Sequence, residues 1–132
     1  MPERGATGRG LVDLHVHSSA SDGTLSPSDL VAAAASLGLS AIALTDHDTL
    51  AGLDEAIERG KTAGLEVVPG IELSSYAGGT EVHIIGLFVD TNNSEAIAKV
   101  DRLRDARRGR LFEMVRKLGE IGVSVDPDEV LA

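Results

Sequence analysis

Apolar and polar residues alternate from Leu11 to Val16, directly after a glycine-rich start. Alternation with a period of two predicts a half-buried β-strand, in which every second side chain shares one face. His15 and His17 therefore lie on the same face of this strand. Two imidazoles in that arrangement can bind one cation, although a lone His-x-His pair is more often incidental than metal-binding.

A helix is predicted after the loop that follows this strand. Ser26 suits the N-cap, Pro27 the first helical position, and Asp29 completes a capping box. Apolar residues then recur at helical spacing until Gly38. The continuous apolar run 41–44 is typical of a strand that is buried on both faces.

The next segments continue the alternation of helix and strand. A second helix fits residues 50–63, and a third strand fits 65–73. The order strand, helix, strand, helix, strand predicts a parallel α/β sheet or barrel. In such folds the functional residues gather at the carboxyl ends of the strands, which is where His17, His47 and Glu72 fall.

The connection from the third to the fourth strand is too short for a helix. Residues 76–79 carry a turn signal, so residues 81–90 are predicted to form an antiparallel partner strand. If the turn centres on Ala77 and Gly78, Glu72 and His83 face one another across the pair. A tight parallel crossover is the alternative.

The remaining segments are less regular. Residues 94–118 have helical periodicity with Ser94 as the N-cap, and Gly109 is a point where the helix could loosen. Residues 121–125 fit a short strand, and 126–129 resemble a helix start. Residues 1–10 have no periodicity and are predicted to be a flexible N-terminal arm.

Composition limits the classes of protein. The chain has 132 residues, of which 42% are hydrophobic, enough for one globular domain over residues 11–132. No apolar run reaches the roughly 20 residues of a membrane span, and the first residues do not resemble a signal peptide, so we expect a cytoplasmic protein without a membrane partner. The chain has no cysteine, so a metal would be held by His, Asp and Glu, which suits manganese, zinc, iron or magnesium.

Charge is unevenly distributed along the chain. The net charge is −9, which argues against a general nucleic-acid surface, yet eight of the twelve basic residues lie between 99 and 117. One interpretation is a solvated helix face with internal ion pairs. The other is that an arginine such as Arg107 or Arg110 reaches over the functional site and holds a phosphate.

The four histidines all fall at predicted strand ends or starts, each with a carboxylate nearby. They form, with two carboxylates, a nitrogen and oxygen set large enough for more than one divalent ion. His47 could equally be a hydrogen-bonded turn residue, and if it binds metal its flanking aspartates would fix its tautomer. Glu72 could be an ordinary strand carboxylate, but near the end of a buried strand it needs a cation partner. The candidate metal ligands are His15, His17, Asp22, His47, Glu72 and His83.

Five segments resemble, in order, the first motifs of the polymerase and histidinol phosphatase (PHP) family. The resemblance extends from about Leu11 to Ala132. The Asp-Gly pair after His-x-His and the second Asp of Thr-Asp-His-Asp are most similar to the stand-alone phosphoesterases that act on nucleotide 3′,5′-bisphosphates or short oligonucleotides. The segments are 13–18, 21–23, 45–48, 70–72 and 82–86.

The resemblance implies the N-terminal portion of a distorted (β/α)7 TIM-like barrel with up to three metal ions on its carboxyl face. His15 and His17 would hold one ion, Glu72 would bridge two, and His83 would join the second. Asp22 and His47 would serve the third. The implied activity is hydrolysis of a phosphate ester, such as a nucleotide, by a metal-bridging hydroxide, with no protein nucleophile.

Family members are longer than this chain, and their later motifs supply further ligands. No histidine follows His83, so we expect the chain to be a truncated PHP domain, the first half of the barrel. Activity of this chain alone is therefore open. The alternatives are a non-catalytic metal- or nucleotide-binding module and a polymerase-associated PHP domain. An incomplete barrel leaves apolar strand edges uncovered, which predicts self-association.

Overall fold

The computed structural model describes residues 10–131, so most of the predicted N-terminal arm lies outside the described residues. Within this range the chain alternates strands with helices and then continues in two helices. The elements are β1 (Leu11–Val16), α1 (Pro27–Ser36), β2 (Leu39–Leu44), α2 (Leu53–Ala63), β3 (Glu66–Ala77), β4 (Thr80–Leu87), α3 (Ser94–Glu120) and α4 (Pro127–Leu131).

The four strands form one sheet in chain order, β1-β2-β3-β4. The pairs β1–β2 and β2–β3 are parallel, as the alternation of strand and helix predicts. β3 and β4 are antiparallel, so the predicted hairpin is confirmed and the parallel crossover is wrong. The sheet thus brings the carboxyl ends of three consecutive strands to one edge.

The hairpin turn lies one position later than predicted. Ala77 pairs with Thr80, which leaves Gly78 and Gly79 as the two turn residues, with φ of 60° and 84°. A type I′ turn requires positive φ at both central positions, and only the two glycines supply this without strain. His83 therefore pairs with Ser74, not with Glu72.

The core lies between the helices α1 and α2 and the parallel strands. Ile42 and Leu44 of β2 are fully buried, as the continuous apolar run predicts, and Val31 of α1 packs with them. The Ser26 side chain accepts a hydrogen bond from the backbone N–H of Asp29 at 3.1 Å, which confirms the predicted N-cap of α1. Helix α2 begins at Leu53, three residues later than predicted.

β1 is more exposed than predicted. Leu11, Val12 and Leu14 are 74%, 53% and 45% exposed, so the expectation of a half-buried strand is wrong over most of its length. The physical reason is its place at the edge of the sheet. Among the described residues it pairs only with β2.

α3 is one helix of 27 residues that continues through Gly109. Its N-cap is Asn93, whose side chain accepts from the N–H of Ala96 at 3.0 Å, so the assignment of the cap to Ser94 is wrong by one residue. Residues 121–125 form a turn and irregular chain, not the predicted strand. None of the described helices is long and apolar enough to cross a bilayer.

Candidate metal centre

The carboxyl edge of the parallel strands brings all four histidines together. His15 lies in β1, His17 directly after it, and His83 in β4. The chain after β2 pairs with β3 through a bridge between His47 and Glu72. This short extension of the sheet holds the backbone of His47 beside the backbone of Glu72.

The Glu72 carboxylate is the centre of the cluster. It is buried, with 5% of its surface exposed, and its two oxygens face different histidines. Oε1 lies 2.6 Å from His83 Nδ1. Oε2 lies 2.9 Å from His17 Nε2 and 3.5 Å from both His15 Nε2 and His47 Nε2. Oε1 of Glu72 thus faces one histidine nitrogen, and Oε2 faces three.

Asp22 contacts two of these same histidines. Its Oδ1 accepts from His17 Nδ1 at 2.7 Å, and its Oδ2 lies 3.6 Å from His47 Nε2. All six candidate ligands therefore lie in one cluster. Their ligand atoms fall into three groups, within each of which all atoms lie no more than 4.8 Å apart: His15, His17 and Glu72; His17, Asp22 and His47; His47, Glu72 and His83.

The electrostatics of the cluster favour ionised carboxylates. The hydrogen bond from His17 lowers the pKa of Asp22 below its ordinary value. Burial alone would raise the pKa of Glu72, but the hydrogen bond from His83 and the neighbouring histidine charges outweigh it, and the net shift is downward. The hydrogen bond to Glu72 raises the pKa of His83. Two acids that stay charged among four imidazoles provide a ligand set suited to cations.

Three buried polar atoms of the cluster lack hydrogen-bond partners, and this bears on whether a metal ion fits the site. His17 Nε2, His47 Nδ1 and Glu72 Oε2 make no hydrogen bond to any described residue, even though His17 Nε2 and Glu72 Oε2 are close. Buried polar atoms without partners are costly and need an explanation. Tetrahedral zinc with ligand bonds near 2.1 Å separates its ligand atoms by about 3.4 Å. Four contacts of 2.9–3.6 Å around Glu72 and Asp22 fit this spacing. The contacts of 2.6 Å between His83 and Glu72 and 2.7 Å between His17 and Asp22 are shorter and are hydrogen bonds.

Thr45 is a residue of the centre that the sequence analysis missed. Its hydroxyl is buried, donates to the Val16 carbonyl at 3.3 Å and lies 2.8 Å from His15 Nδ1. When the hydroxyl donates to Val16, His15 Nδ1 is the donor in the second contact. The lone pair of His15 then resides on Nε2, the nitrogen that faces Glu72.

The aspartates that flank His47 do not orient it, contrary to the prediction. Asp46 accepts from Ser18 N, Ser18 Oγ and Ser21 Oγ, each at 2.7 Å, and so fixes the loop after β1. Asp48, with a φ of 51°, accepts from Ser74 N at 3.0 Å and from Arg107 at 3.3 Å. The three side chains of this loop point in different directions, so the aspartates do not contact His47 although they adjoin it in the sequence.

A cleft of about 910 Å³ opens beside the centre, between the β3–β4 hairpin and α3. Its lining includes His47 and His83 and also both predicted phosphate-binding residues, Arg107 and Arg110. The Arg107 guanidinium is already paired with the buried Asp48. Arg108, which the sequence analysis did not single out, lines the same wall.

Residues 13–113 match the family model described as PHP domain. Two curated relatives are similar over most of the chain. A 5′-3′ exoribonuclease of Haemophilus influenzae is 41% identical over 84% of this chain and 40% of its own length. A 3′,5′-nucleoside bisphosphate phosphatase of Chromobacterium violaceum is 35% identical over 86% of this chain and 40% of its own length. The chain thus spans about two fifths of the length of these relatives.

A crystal structure from Bifidobacterium adolescentis, described as a candidate metal-dependent phosphoesterase, superposes with a TM-score of 0.83. It is 35% identical, and the match covers 94% of this chain and 43% of that one. The predicted fold class is thereby confirmed: an α/β fold that corresponds to a portion of a TIM-like barrel.

Proposed function

Because the chain belongs to the PHP domain family, we propose that it contributes the metal centre of a metal-dependent phosphoesterase that acts on nucleotides or related phosphate esters. The single observation that carries this proposal is the environment of Glu72. Its two oxygens face four histidines, and its own Oε2, His17 Nε2 and His47 Nδ1 are buried without a hydrogen-bond partner among the described residues.

We assign the ligands as the resemblance implied. His15, His17 and Glu72 would hold one ion, Glu72 and His83 would hold a second, and Asp22 with His47 would hold a third. The suitable ions are manganese, zinc, iron and magnesium, since the ligand atoms are nitrogen and oxygen only. Bound metal would supply an activated water and neutralise charge on the phosphoryl oxygens.

Other residues of the chain are placed to orient the metal ligands and the substrate. Thr45 orients His15 through its hydroxyl, and Asp22 orients His17 through its carboxylate. Such partners of metal-binding histidines fix the tautomer and the ring orientation. Arg110 and its neighbour Arg108 line the cleft and are placed to bind the phosphate groups of a substrate.

The first test is metal content together with turnover. The chain is purified without chelator, its metals are quantified by elemental analysis, and hydrolysis of adenosine 3′,5′-bisphosphate and of a short oligoribonucleotide is followed. We expect at least one metal ion per chain and hydrolysis that chelator abolishes. The double variant His15→Ala, His17→Ala should lose both. Glu66→Gln, an exposed change at the opposite end of β3, is the matched control and should lose neither.

Each result decides between the two candidate functions. Bound metal without turnover would support a non-catalytic metal-binding module and contradict the proposed activity. Absence of metal from the unaltered chain, after incubation with each of the four ions, would contradict both. Hydrolysis that survives in the double variant would show that His15 and His17 are not ligands.

The exposed apolar residues of β1 support the further proposal that copies of this chain self-associate. Leu11, Val12 and Leu14 lie on an edge strand, and such edges pair readily with other strands. Sedimentation velocity over a range of concentrations tests this. A single monomeric species at all concentrations would contradict it.

A further inference from the structure

Strand β3 carries a glycine beside the metal centre, at a position that has no room for a side chain. Gly70 lies two residues before Glu72 and therefore shares its face of the strand. A Cβ atom placed on Gly70 would lie 2.7 Å from the methyl carbon of Thr45. It would also lie 3.0 Å from the Leu44 carbonyl oxygen and 3.1 Å from that of Gly86. Carbon atoms in favourable contact are about 3.5–4.0 Å apart, so even a methyl group does not fit here.

The backbone conformation does not require this glycine. Gly78 and Gly79 have positive φ, whereas Gly70 does not, and it pairs regularly with Leu87 in the ladder between β3 and β4. The lack of a side chain is therefore explained by the close approach of a neighbour. That neighbour is the methyl group of Thr45, a residue that is fully buried.

The two branches of the Thr45 side chain face different strands. Its methyl group lies against Gly70 of β3. Its hydroxyl lies 2.8 Å from His15 Nδ1 and 3.3 Å from the Val16 carbonyl oxygen, both in β1. Because threonine is branched at Cβ, one torsion angle, χ1, sets the position of both groups. A methyl group displaced from Gly70 therefore moves the hydroxyl away from His15.

His15 depends on this hydroxyl for its orientation. Its side chain is 46% exposed, and no other side chain of the described residues hydrogen-bonds to its Nδ1. His17, by contrast, is held at Nδ1 by the Asp22 carboxylate at 2.7 Å. Loss of the Thr45 contact thus leaves His15 without the partner that fixes its ring and its tautomer.

We infer that Gly70 is a positioning residue of the metal centre: it holds the Thr45 hydroxyl on His15 Nδ1 and so directs His15 Nε2 towards the metal ion. The inference rests on the proposed function, because it concerns one of the proposed ligands. Gly70 acts through Thr45 and contacts neither metal nor substrate. A single methyl group added at this position, Gly70→Ala, should therefore impair the site without removing a ligand.

The tautomer of His15 tests the inference in the absence of metal. The full chain is isotopically labelled and kept in chelator at a pH where its histidines are neutral, and its ring nitrogens are observed by long-range proton–nitrogen correlation. His15→Ala assigns the signals. We expect the Nδ1–H form in the unaltered chain, and the Nε2–H form would overturn the inference. Gly70→Ala and Thr45→Val should both lose the Nδ1–H form, since the first displaces the hydroxyl and the second replaces it with a methyl group.

Zinc affinity, measured by competition with a chelating dye, provides a second readout with a compensating variant. Loss of the partner of a metal-binding histidine lowers metal affinity roughly 10- to 100-fold, so Gly70→Ala should weaken zinc binding by about this factor. Thr45→Ser keeps the hydroxyl but removes the methyl carbon that the new Cβ would meet. Gly70→Ala should therefore weaken zinc binding far less in the Thr45→Ser background than in the unaltered chain.

Gly60 in α2 provides the matched control. A Cβ atom at this position would lie 2.7 Å from both the Leu65 carbonyl oxygen and Val67 Cγ2, near the start of β3 and away from the metal centre. Gly60→Ala introduces an equally close contact and should leave the His15 tautomer and the zinc affinity unchanged. Equal losses of zinc affinity in Gly60→Ala and Gly70→Ala would overturn the inference, because a general loosening of the fold would explain both.

The results distinguish this inference from the proposed function and from a failure to fold. If Gly70→Ala folds only together with Thr45→Ser, the contact with the Thr45 methyl group limits the position and the inference is supported. If neither variant folds, the backbone carbonyls limit the position and the inference is overturned. A changed His15 tautomer in Gly70→Ala supports the inference even if the chain hydrolyses no phosphate ester, a result that would contradict the proposed activity. An unchanged tautomer and zinc affinity in Gly70→Ala overturn it even if the unaltered chain is active.

Discussion

The carboxylate of Asp46 is only 2% exposed and accepts three hydrogen bonds at 2.7 Å, two from Ser18 and one from Ser21. These bonds fix the loop that presents Asp22 to His17. A buried charge is tolerated when its oxygens are satisfied in this way. Asp46 is therefore a structural residue of the centre, although it lies beside a candidate ligand in sequence.

We predict that Asp46→Ala destabilises the fold by about 2–4 kcal/mol, because it leaves buried donors of the loop without an acceptor. Urea unfolding in the presence of chelator measures this apart from any effect of metal. Asp101→Asn, which removes an exposed carboxylate paired with Arg104, is the control and should change the free energy of unfolding far less. Equal losses in the two variants would contradict the role given to Asp46.

At the scale of residues, the sequence predicts side-chain direction within a strand but not contacts between loops. His15 and His17 share a face because the period of a strand is two. The partner of Asp46 could not be found in this way, since Ser18 lies 28 residues away in the chain. The same holds for Thr45 and His15, which are 30 residues apart. These contacts depend on the register of β1 against β2.

The β3–β4 hairpin carries His83 to Glu72, and its register depends on two turn residues. Gly78 and Gly79 both have positive φ, where a β-branched residue is strained. We predict that Gly78→Val destabilises the chain by about 1–2 kcal/mol and weakens metal binding, since a shifted register moves His83 away from Glu72. Asparagine tolerates positive φ, so Gly78→Asn should retain both properties.

Urea unfolding compares the stability of the two variants, and a metal titration compares their metal affinity. A Gly78→Val protein with the stability and metal affinity of Gly78→Asn would show that the turn does not set the register.

The contact between Asp48 and Arg107 ties α3 to the rest of the fold. α3 buries none of its residues, whereas Asp48 is 3% exposed and also accepts from Ser74 N. We predict that Arg107→Ala raises the amide hydrogen exchange of α3, because a helix with few buried contacts opens locally at low cost. Arg102→Ala, on the same helix, is the control. Unchanged exchange in Arg107→Ala would show that other contacts position α3.

At the scale of elements, local signals gave the better predictions. The N-cap of α1 and the end of α2 at residue 63 were predicted correctly because capping depends on a few adjacent residues. The exposure of β1 was mispredicted because it depends on what lies beside the strand. The pairing of Arg107 with Asp48, 59 residues away, could not be predicted from the charge pattern of α3 either.

For the whole molecule, the sheet order follows from the sequence because each strand pairs with its neighbour in the chain. The six ligand candidates come from four different strands or the loops after them, so only the complete sheet brings them together. Metal bound at this point would link β1, β2, β3 and β4. Binding energy that links separate elements contributes directly to the stability of the fold.

We predict that removal of metal lowers the thermal stability of the chain. A ligand present at 100 times its Kd stabilises the folded state by about 2.7 kcal/mol, which for a domain of this size corresponds to a rise in Tm of roughly 10 °C. Thermal unfolding with zinc or manganese and then with chelator measures the difference.

The double variant His15→Ala, His17→Ala should lose most of this shift, because it removes two donors of one ligand group, whereas Arg102→Ala should retain it. A shift of the same size in the double variant would place the bound metal elsewhere in the chain. If the unaltered chain unfolds at the same temperature with and without metal, the Glu72 cluster does not hold an ion that links the strands.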